Sequence, residues 1–113
     1  MMERIIIESP FWNEDSNIRE LNLRYARLCL FDSLKRGEAP FASHLLYPQV
    51  LLDEKDPIIR QWGIEAGFKW MLAVNKIAVY TDRGISSGMQ QGINFAKKYA
   101  INIEYRSLEG EKV

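Results

Sequence analysis

The sequence has little of what a disulfide framework, a metal centre or a nucleic-acid surface requires. It contains one cysteine and one histidine in 113 residues, too few for an intramolecular disulfide or a Cys/His zinc cluster. Lys plus Arg number 15 and Asp plus Glu also number 15, whereas domains that bind nucleic-acid phosphates usually carry a basic excess. We therefore expect no metal, no cofactor and no nucleic-acid partner.

Long apolar runs are also missing. No segment reaches the ~18 continuous apolar residues of a membrane span, and the first four residues, MMER, lead into a short apolar run without a cleavage site. We expect a cytoplasmic protein without membrane contact. Apolar residues make up 47% and charged residues 27%, which is typical of a globular domain. Residues 1–113 should form one domain, with Cys29 as a buried apolar side chain.

Strand patterns alternate with helix patterns along the chain. The predicted strands are 5–7, 41–44, 77–80 and 101–106. Capping-box spacing at Asn17 and Glu20, Asp56 before Pro57, and capping-box spacing at Ser87 and Gln90 predict three helix starts. The alternation predicts an α/β fold with a four-stranded, mainly parallel sheet in the order 2-1-3-4 and helices on both faces.

The second helix is apolar on more than one face. Ile59, Gly63, Ala66, Trp70 and Ala73 recur at helical spacing and are expected to cover the sheet. A second set consists of Ile58, Trp62 and Leu72, and the segment 45–52, which has no assigned structure, is apolar as well. An exposed apolar surface of this size predicts a homo-oligomer. The alternative is that segment 45–52 folds back over Trp62.

The predicted sheet order reverses between the first and third strands, and ligands bind beyond the carboxyl ends of strands at such a point. Segments 8–12, 43–44 and 81–89 meet there. In the last, TDRGISSGM joins a strand to a helix. Unpaired amides at the helix start suit a phosphate, and Ser86 and Ser87 add hydroxyl donors. The alternative is an ordinary N-cap and turn.

Other residues of these segments are candidates for ligand contacts. The carboxylates of Glu8 and Asp82 could orient a ribose or act as base and nucleophile in glycosyl chemistry, or be solvated loop acids. Arg19 could reach an anion. His44 could be a general acid or a hydrogen-bonded structural residue. Phe11, Trp12 and Tyr47 could stack on a base or belong to the core.

The chain resembles a small domain family of uncharacterised function that is common in bacteriophage and bacterial genomes. The similarity spans residues 5–108 and rests on YARLCLFDSLKRGEAPFASHLLYPQ, GIEAGFKWM, VYTDRGISSGMQQGINFA and IEYRSL. More distantly, the layout is similar to the nucleoside 2-deoxyribosyltransferase-like superfamily and to the SLOG nucleotide-binding domains. That similarity implies one small three-layer Rossmann-like domain. Ser9-Pro10 and Ser86-Ser87-Gly88 occupy the places of the superfamily's turns.

One departure from the superfamily bears on catalysis. The transferases carry a nucleophilic glutamate in the last helix, and the corresponding position here is Gly92. The resemblance therefore implies a nucleotide-shaped pocket more than the reaction. The ligand-binding residues it favours, together with the residues singled out above, are Ser9, Pro10, Phe11, Trp12, Arg19, His44, Asp82, Ser86, Ser87, Gly88 and Met89.

Three functions stay open at this stage. The first is binding of a nucleotide-derived small molecule, by which a phage or bacterial protein could sequester a nucleotide signal in host defence, within the host cytoplasm in the case of a phage. The second is an N-glycosidase or deoxyribosyltransferase-like enzyme that uses Glu8 or Asp82 in place of the missing glutamate. The third is an interaction module with a vestigial pocket.

Overall fold

The structure of the protein, a computed structural model, describes residues 2–50 and 56–108. The residues after Leu108 and the last two residues of segment 45–52 lie outside this part of the chain. Within it, no helix has the length and apolar character needed to cross a membrane.

Four parallel strands form one sheet in the order β2-β1-β3-β4, which confirms the predicted α/β topology. Ile6 lies beside Phe41 on one side and Ile77 on the other, so β1 and β3 are the inner strands. The elements are β1 (Arg4–Glu8), α1 (Ser16–Lys35), β2 (Ala39–Phe41), the 3-10 turns Ser43–Leu45 and Tyr47–Gln49, α2 (Pro57–Met71), β3 (Lys76–Tyr80), α3 (Ser87–Lys98) and β4 (Asn102–Arg106).

The inner strands are buried on both faces, as their continuous apolar runs predict. On one face Ile5 and Ile7 pack in a cluster with Tyr25 and Cys29 of α1. On the other face Ile6 packs in a cluster to which Met71 of α2 and Ile93 of α3 belong. The result is three layers, with α1 on one side of the sheet and α2 and α3 on the other.

Two of the predicted helix starts were wrong by one or two residues. The cap of α1 is Asp15, whose carboxylate accepts the Asn17 amide at 2.8 Å. The cap of α3 is Ser86, whose hydroxyl accepts the Met89 amide at 3.2 Å. In both cases a residue upstream of the expected cap satisfies an amide of the first turn, so the helix begins earlier. Asp56 caps α2 as predicted.

The second strand ends before His44, contrary to prediction. Pairing begins where the Ala39 amide donates to the Glu3 carbonyl at 2.8 Å, and Pro40 is tolerated because β2 is an edge strand. The chain then turns, with the Leu45 amide donating to the Ala42 carbonyl at 3.0 Å. His44 therefore lies in a 3-10 turn rather than in the sheet.

The face of α2 that covers the sheet also differs from the prediction. Gly67 and Met71 are the buried residues of this helix, whereas Trp70 is 51% exposed. A Cβ at position 67 would stand 2.9 Å from Ser43 Oγ, so a close approach to the turn after β2 fixes the rotation of α2. The second predicted set, Ile58, Trp62 and Leu72, is exposed on the single chain.

Candidate functional site

A cavity of about 220 Å³ lies at the carboxyl ends of β1 and β3, on the side of α2 and α3. This is the point where the strand order reverses, as the sequence predicts. Its polar side chains are Glu8, Ser9, Ser43, His44, Tyr47, Arg60, Ser86, Ser87 and Gln91, and its apolar side chains include Ile6, Phe11, Trp12, Ile64, Phe68 and Met89.

The N-terminus of α3 forms one wall of the cavity. The Ser86 hydroxyl is occupied as the cap, and the Ser86 amide donates to Met89 Sδ at 3.4 Å. The amides of Ser87 and Gly88 belong to the first helical turn, where no carbonyl of the helix can accept them. A Cβ added at Gly88 would meet nothing within 4 Å. The wall is therefore an open cradle of N–H donors with the positive end of the helix dipole behind it.

Glu8 brings a carboxyl group into the cavity from the end of β1. It forms no hydrogen bond or ion pair with any described residue. Burial raises the pKa of Glu8 from 4.5 to about 8, because the charged form loses hydration without gaining a partner. At pH 7 the group is mainly protonated and can donate one hydrogen bond as well as accept others.

Gly92 of α3 provides the space that this carboxyl group occupies. A Cβ at position 92 would stand 2.6 Å from Glu8 Oε1 and 2.8 Å from Glu8 Cδ. Any residue other than glycine at this position would displace the Glu8 side chain. The two positions are thus sterically coupled across the floor of the cavity.

Ser9 and His44 form a second polar feature of the lining. Ser9 Oγ lies 2.6 Å from His44 Nε2, and Ser9 is only 5% exposed. Burial lowers the pKa of His44 from 6.5 to about 4, so the imidazole is neutral at pH 7.

Trp12 lies at the cavity between two arginines. The guanidinium carbon of Arg60 is 4.9 Å from the centre of the Trp12 ring, and that of Arg19 is 5.1 Å from it. Only Arg60 of the two lines the cavity, and none of the described carboxylates forms an ion pair with it. Arg19 donates to the carbonyls of Asn13 and Glu14 at 2.6 and 3.2 Å. Arg60 thus adds a positive charge at the rim.

The cavity gathers most of the residues predicted for the site. Glu8, Ser9, Phe11, Trp12, His44, Ser86, Ser87, Gly88 and Met89 all line it. Pro10 is buried next to it without lining it, and Arg19 points to the loop before α1.

Asp82 is placed elsewhere. Its carboxylate accepts the Tyr25 hydroxyl at 2.6 Å and the Leu108 amide at 3.1 Å, on the α1 side of the sheet. Side chains alternate between the faces of a sheet, and the bend after β3 directs this carboxylate away from the cavity. The structure therefore separates Glu8 from Asp82, and the predicted pair of carboxylates is not formed.

Arg60 and Gln91 line the cavity although they lie outside the segments predicted to meet there, whereas Ser43 belongs to the predicted segment 43–44. The fold topology could have predicted that Arg60 lies near the cavity. In a parallel α/β fold every connecting helix begins at the carboxyl edge of the sheet, so the first turn of α2, after Asp56, should approach the site. Gln91 lines the cavity because of the rotation of α3, which no local pattern shows.

These features define a small three-layer α/β domain with an anion-compatible cavity at the switch point of its sheet. Residues 3–106 match the family described as Domain of unknown function (DUF7768), and the chain belongs to that family. A comparison with curated proteins finds no match.

Proposed function

We propose that the protein binds a nucleotide-derived small molecule in the cavity between α2 and α3. The observation that carries this proposal is the combination within one cavity of unpaired amides at Ser87 and Gly88, the Arg60 guanidinium and the aromatic rings of Phe11 and Trp12. A phosphate needs the first two, and a base stacks on the third.

The expected arrangement follows from the chemistry of each wall. The phosphate lies against Gly88, where the open space of the missing Cβ admits an oxygen. The protonated carboxyl of Glu8 contacts the sugar, since a neutral group adds hydrogen bonds without repelling the phosphate. Sequestration of a nucleotide signal in host defence rests on the resemblance to phage and bacterial proteins alone.

A charge placed at position 88 tests the binding site. Gly88→Asp should weaken nucleotide binding by roughly 100-fold, because a carboxylate would replace the phosphate on the same amides. The fold should tolerate it, since the space is open and acidic residues favour helix N-termini. Binding is measured by calorimetry or thermal shift with nucleosides, nucleotides, ADP-ribose and cyclic dinucleotides.

The matched control is Asn17→Asp, which adds the same charge at the same helical position of α1, outside the cavity. It should leave binding unchanged. Equal affinity of wild type and Gly88→Asp would remove the phosphate hypothesis. If no compound of the panel binds the wild-type protein, the interaction-module interpretation replaces this proposal.

A second candidate function, an N-glycosidase, is favoured by the contact between Glu8 and Gly92. Glu8 places a carboxyl group beside the α3 position at which the resembling transferases carry their glutamate. With its pKa raised to about 8, this group suits proton donation. The glycosidic C–N bond breaks, the leaving base takes the Glu8 proton, a water oxygen bonds to the anomeric carbon, and the proton of that water returns to Glu8.

Mass spectrometry of the same panel separates the two functions. Recovery of the intact compound indicates binding alone, and free base indicates hydrolysis. Any hydrolysis should fall at least about 100-fold in Glu8→Gln, whereas Asp82→Asn, outside the cavity, should retain it. Hydrolysis that survives in Glu8→Gln would exclude Glu8 as the acid.

A further inference from the structure

The Ser9–His44 pair is a chemical feature that nucleotide binding does not use. The two residues are 35 positions apart in the chain, yet Ser9 Oγ and His44 Nε2 lie 2.6 Å apart. Ser9 follows the last residue of β1, and the 3-10 turn after β2 carries His44 over it. Two separate backbone segments thus hold the hydroxyl and the imidazole in contact within the cavity.

The pair has the geometry of a serine activated by a neighbouring base. The imidazole is neutral at pH 7 and can accept a proton, although burial, which lowers the pKa of His44 to about 4, makes it a weaker base than an exposed imidazole. When Nδ1 carries the ring proton, Nε2 accepts the Ser9 hydroxyl proton. Among the described residues no carboxylate forms a hydrogen bond or ion pair with the ring, so the arrangement is a dyad. A nucleophile within hydrogen-bond distance of a base is the central contact of covalent catalysis by serine.

We propose that Ser9 is a nucleophile, with His44 as its base, for the hydrolysis of a small carboxylic ester bound in the cavity. The Oγ–H proton moves to Nε2 while Oγ bonds to the ester carbonyl carbon. The carbon–oxygen bond to the alcohol then breaks, and the alcohol leaves with the proton from Nε2. Water next gives a proton to Nε2, attacks the acyl carbon and releases the acid, and the proton returns to Oγ.

The rest of the lining suits this chemistry. The negative charge that develops on the carbonyl oxygen needs N–H donors, and the amides of Ser87 and Gly88 line the same cavity. Ile64 and Phe68 provide an apolar wall for the acyl group. The volume of about 220 Å³ favours a small ester over a long-chain lipid. This activity does not depend on the proposed nucleotide function.

A fluorophosphonate probe tests the nucleophile directly, because it reacts far faster with an activated serine hydroxyl than with an ordinary one. The wild-type protein should gain one adduct by intact mass, and peptide mapping should locate it at Ser9. Ser33 and Ser87 serve as internal controls, since neither hydroxyl contacts an imidazole, and should stay unlabelled. Mapping on the wild-type chain makes the result independent of how a Ser9→Ala variant folds.

The role of His44 is tested by removing the imidazole and returning it in solution. Labelling of His44→Ala should be at least about 100-fold slower than that of wild type, and free imidazole should restore part of the rate. A purely structural histidine would give no such rescue. The proposal is overturned if wild type gains no adduct, if the adduct lies on another residue, or if His44→Ala reacts at the wild-type rate. Nucleotide binding, measured by thermal shift on the same samples, reports separately on the proposed function.

Discussion

The two faces of the sheet differ in whether their buried carboxyl groups have hydrogen-bond partners. On the α1 face, Asp32, Glu38, Tyr80 and Arg106 are joined by hydrogen bonds into a set that we call the arginine network. Arg106 donates to both oxygens of Glu38 at 2.8 and 2.6 Å, and the Tyr80 hydroxyl donates to Asp32 at 2.7 Å. On the other face, Glu8 has no described partner. Paired buried groups stabilise a fold, whereas a carboxyl left unpaired in a cavity indicates a ligand site.

The pKa values express the same difference. Hydrogen bonds from Arg106 lower the pKa of Glu38, and those from Arg106 and Lys76 lower that of Glu104 to about 2. Burial alone would raise the pKa of Asp32, but hydrogen bonds from Tyr80 and Arg36 outweigh it and lower the value. Glu8 has only the burial contribution, and its pKa rises. The presence of hydrogen-bond partners, more than the depth of burial, therefore distinguishes the carboxyl groups of the two faces.

The largest expected effect comes from breaking the arginine network. Arg106→Met should lower the free energy of unfolding by about 3 kcal/mol, because Glu38 would lose both guanidinium hydrogen bonds and keep as its ion pair the longer one with Lys76, at 3.9 Å. The Arg106 side chain is 2% exposed and that of Glu38 is 12% exposed. Urea unfolding followed by circular dichroism measures the loss.

Arg36→Met is the matched control for that experiment. Arg36 also binds Asp32, at 2.9 Å, but its side chain is 41% exposed. Exposed ion pairs contribute little, so its loss should cost less than about 1 kcal/mol. Equal effects of the two substitutions would show that the network is no more structural than the surface, and the comparison of the two faces would lose its basis.

A smaller effect should appear in the pH dependence of stability. The pKa of Glu8 is about 8 in the folded protein, whereas its ordinary value is 4.5. Between these two pH values the carboxyl group is protonated in the folded protein and ionised in the unfolded chain. The contribution of Glu8 to stability must therefore fall as pH rises from about 4.5 to about 8. Glu8→Gln removes this dependence, and its advantage over wild type should grow by about 2 kcal/mol between pH 5 and pH 8.5, with allowance for partial solvation.

The acid side of the profile provides the control. The pKa of His44 is lowered to about 4, so its contribution is lost as pH falls from 6.5 to 4. The lowered pKa values of Glu38 and Glu104 act below about 4.5 in the same direction. Wild type and Glu8→Gln share these groups, which therefore cancel in the difference between them. A difference that is constant from pH 5 to 8.5 would show that Glu8 ionises normally.

The sequence predicts the location of the cavity better than it predicts which side chains line it. Strand and helix alternation gave the sheet order, and the switch-point rule located the cavity, because both depend on local patterns and chain topology. The direction of each side chain beyond a strand end is not local. Asp82 follows β3, yet its carboxylate binds Tyr25 on the α1 face. His44 contacts Ser9 from a 3-10 turn, although the apolar pattern around it predicts a strand.

Glu8 illustrates the same limit. Its carboxyl group has room because position 92, on a different element, is glycine. From the sequence, Gly92 indicated only a missing glutamate. The contact between the two positions needs the register of β1 against α3, which is set by packing of Ile6 and Ile93 in one cluster. Contacts whose geometry depends on the packing of two separate elements therefore cannot be predicted from a single sequence.

The outer face of α2 carries large apolar side chains that are exposed on the single chain. Ile58 is 68% exposed and Trp62 is 61% exposed, and they lie four residues apart on one side of the helix. The described part of segment 45–52 leaves Trp62 exposed, which does not favour the alternative that this segment covers it. As with Glu8 in the cavity, these exposed side chains are available for contact with another molecule, and a homo-oligomer stays the prediction.

The smallest effect on the single chain is expected from Trp62→Gln. Because the side chain is largely exposed, unfolding free energy at low protein concentration should change by less than about 0.5 kcal/mol. Self-association should respond far more, since a central aromatic residue contributes much of the energy of an interface. Light scattering at micromolar concentration should give wild type a mass above 13.2 kDa that rises with concentration, and should give Trp62→Gln a lower one. A wild-type mass that stays at the monomer value would show that this face needs no second copy of the chain, and the parallel between exposed apolar groups and the unpaired groups of the cavity would fail.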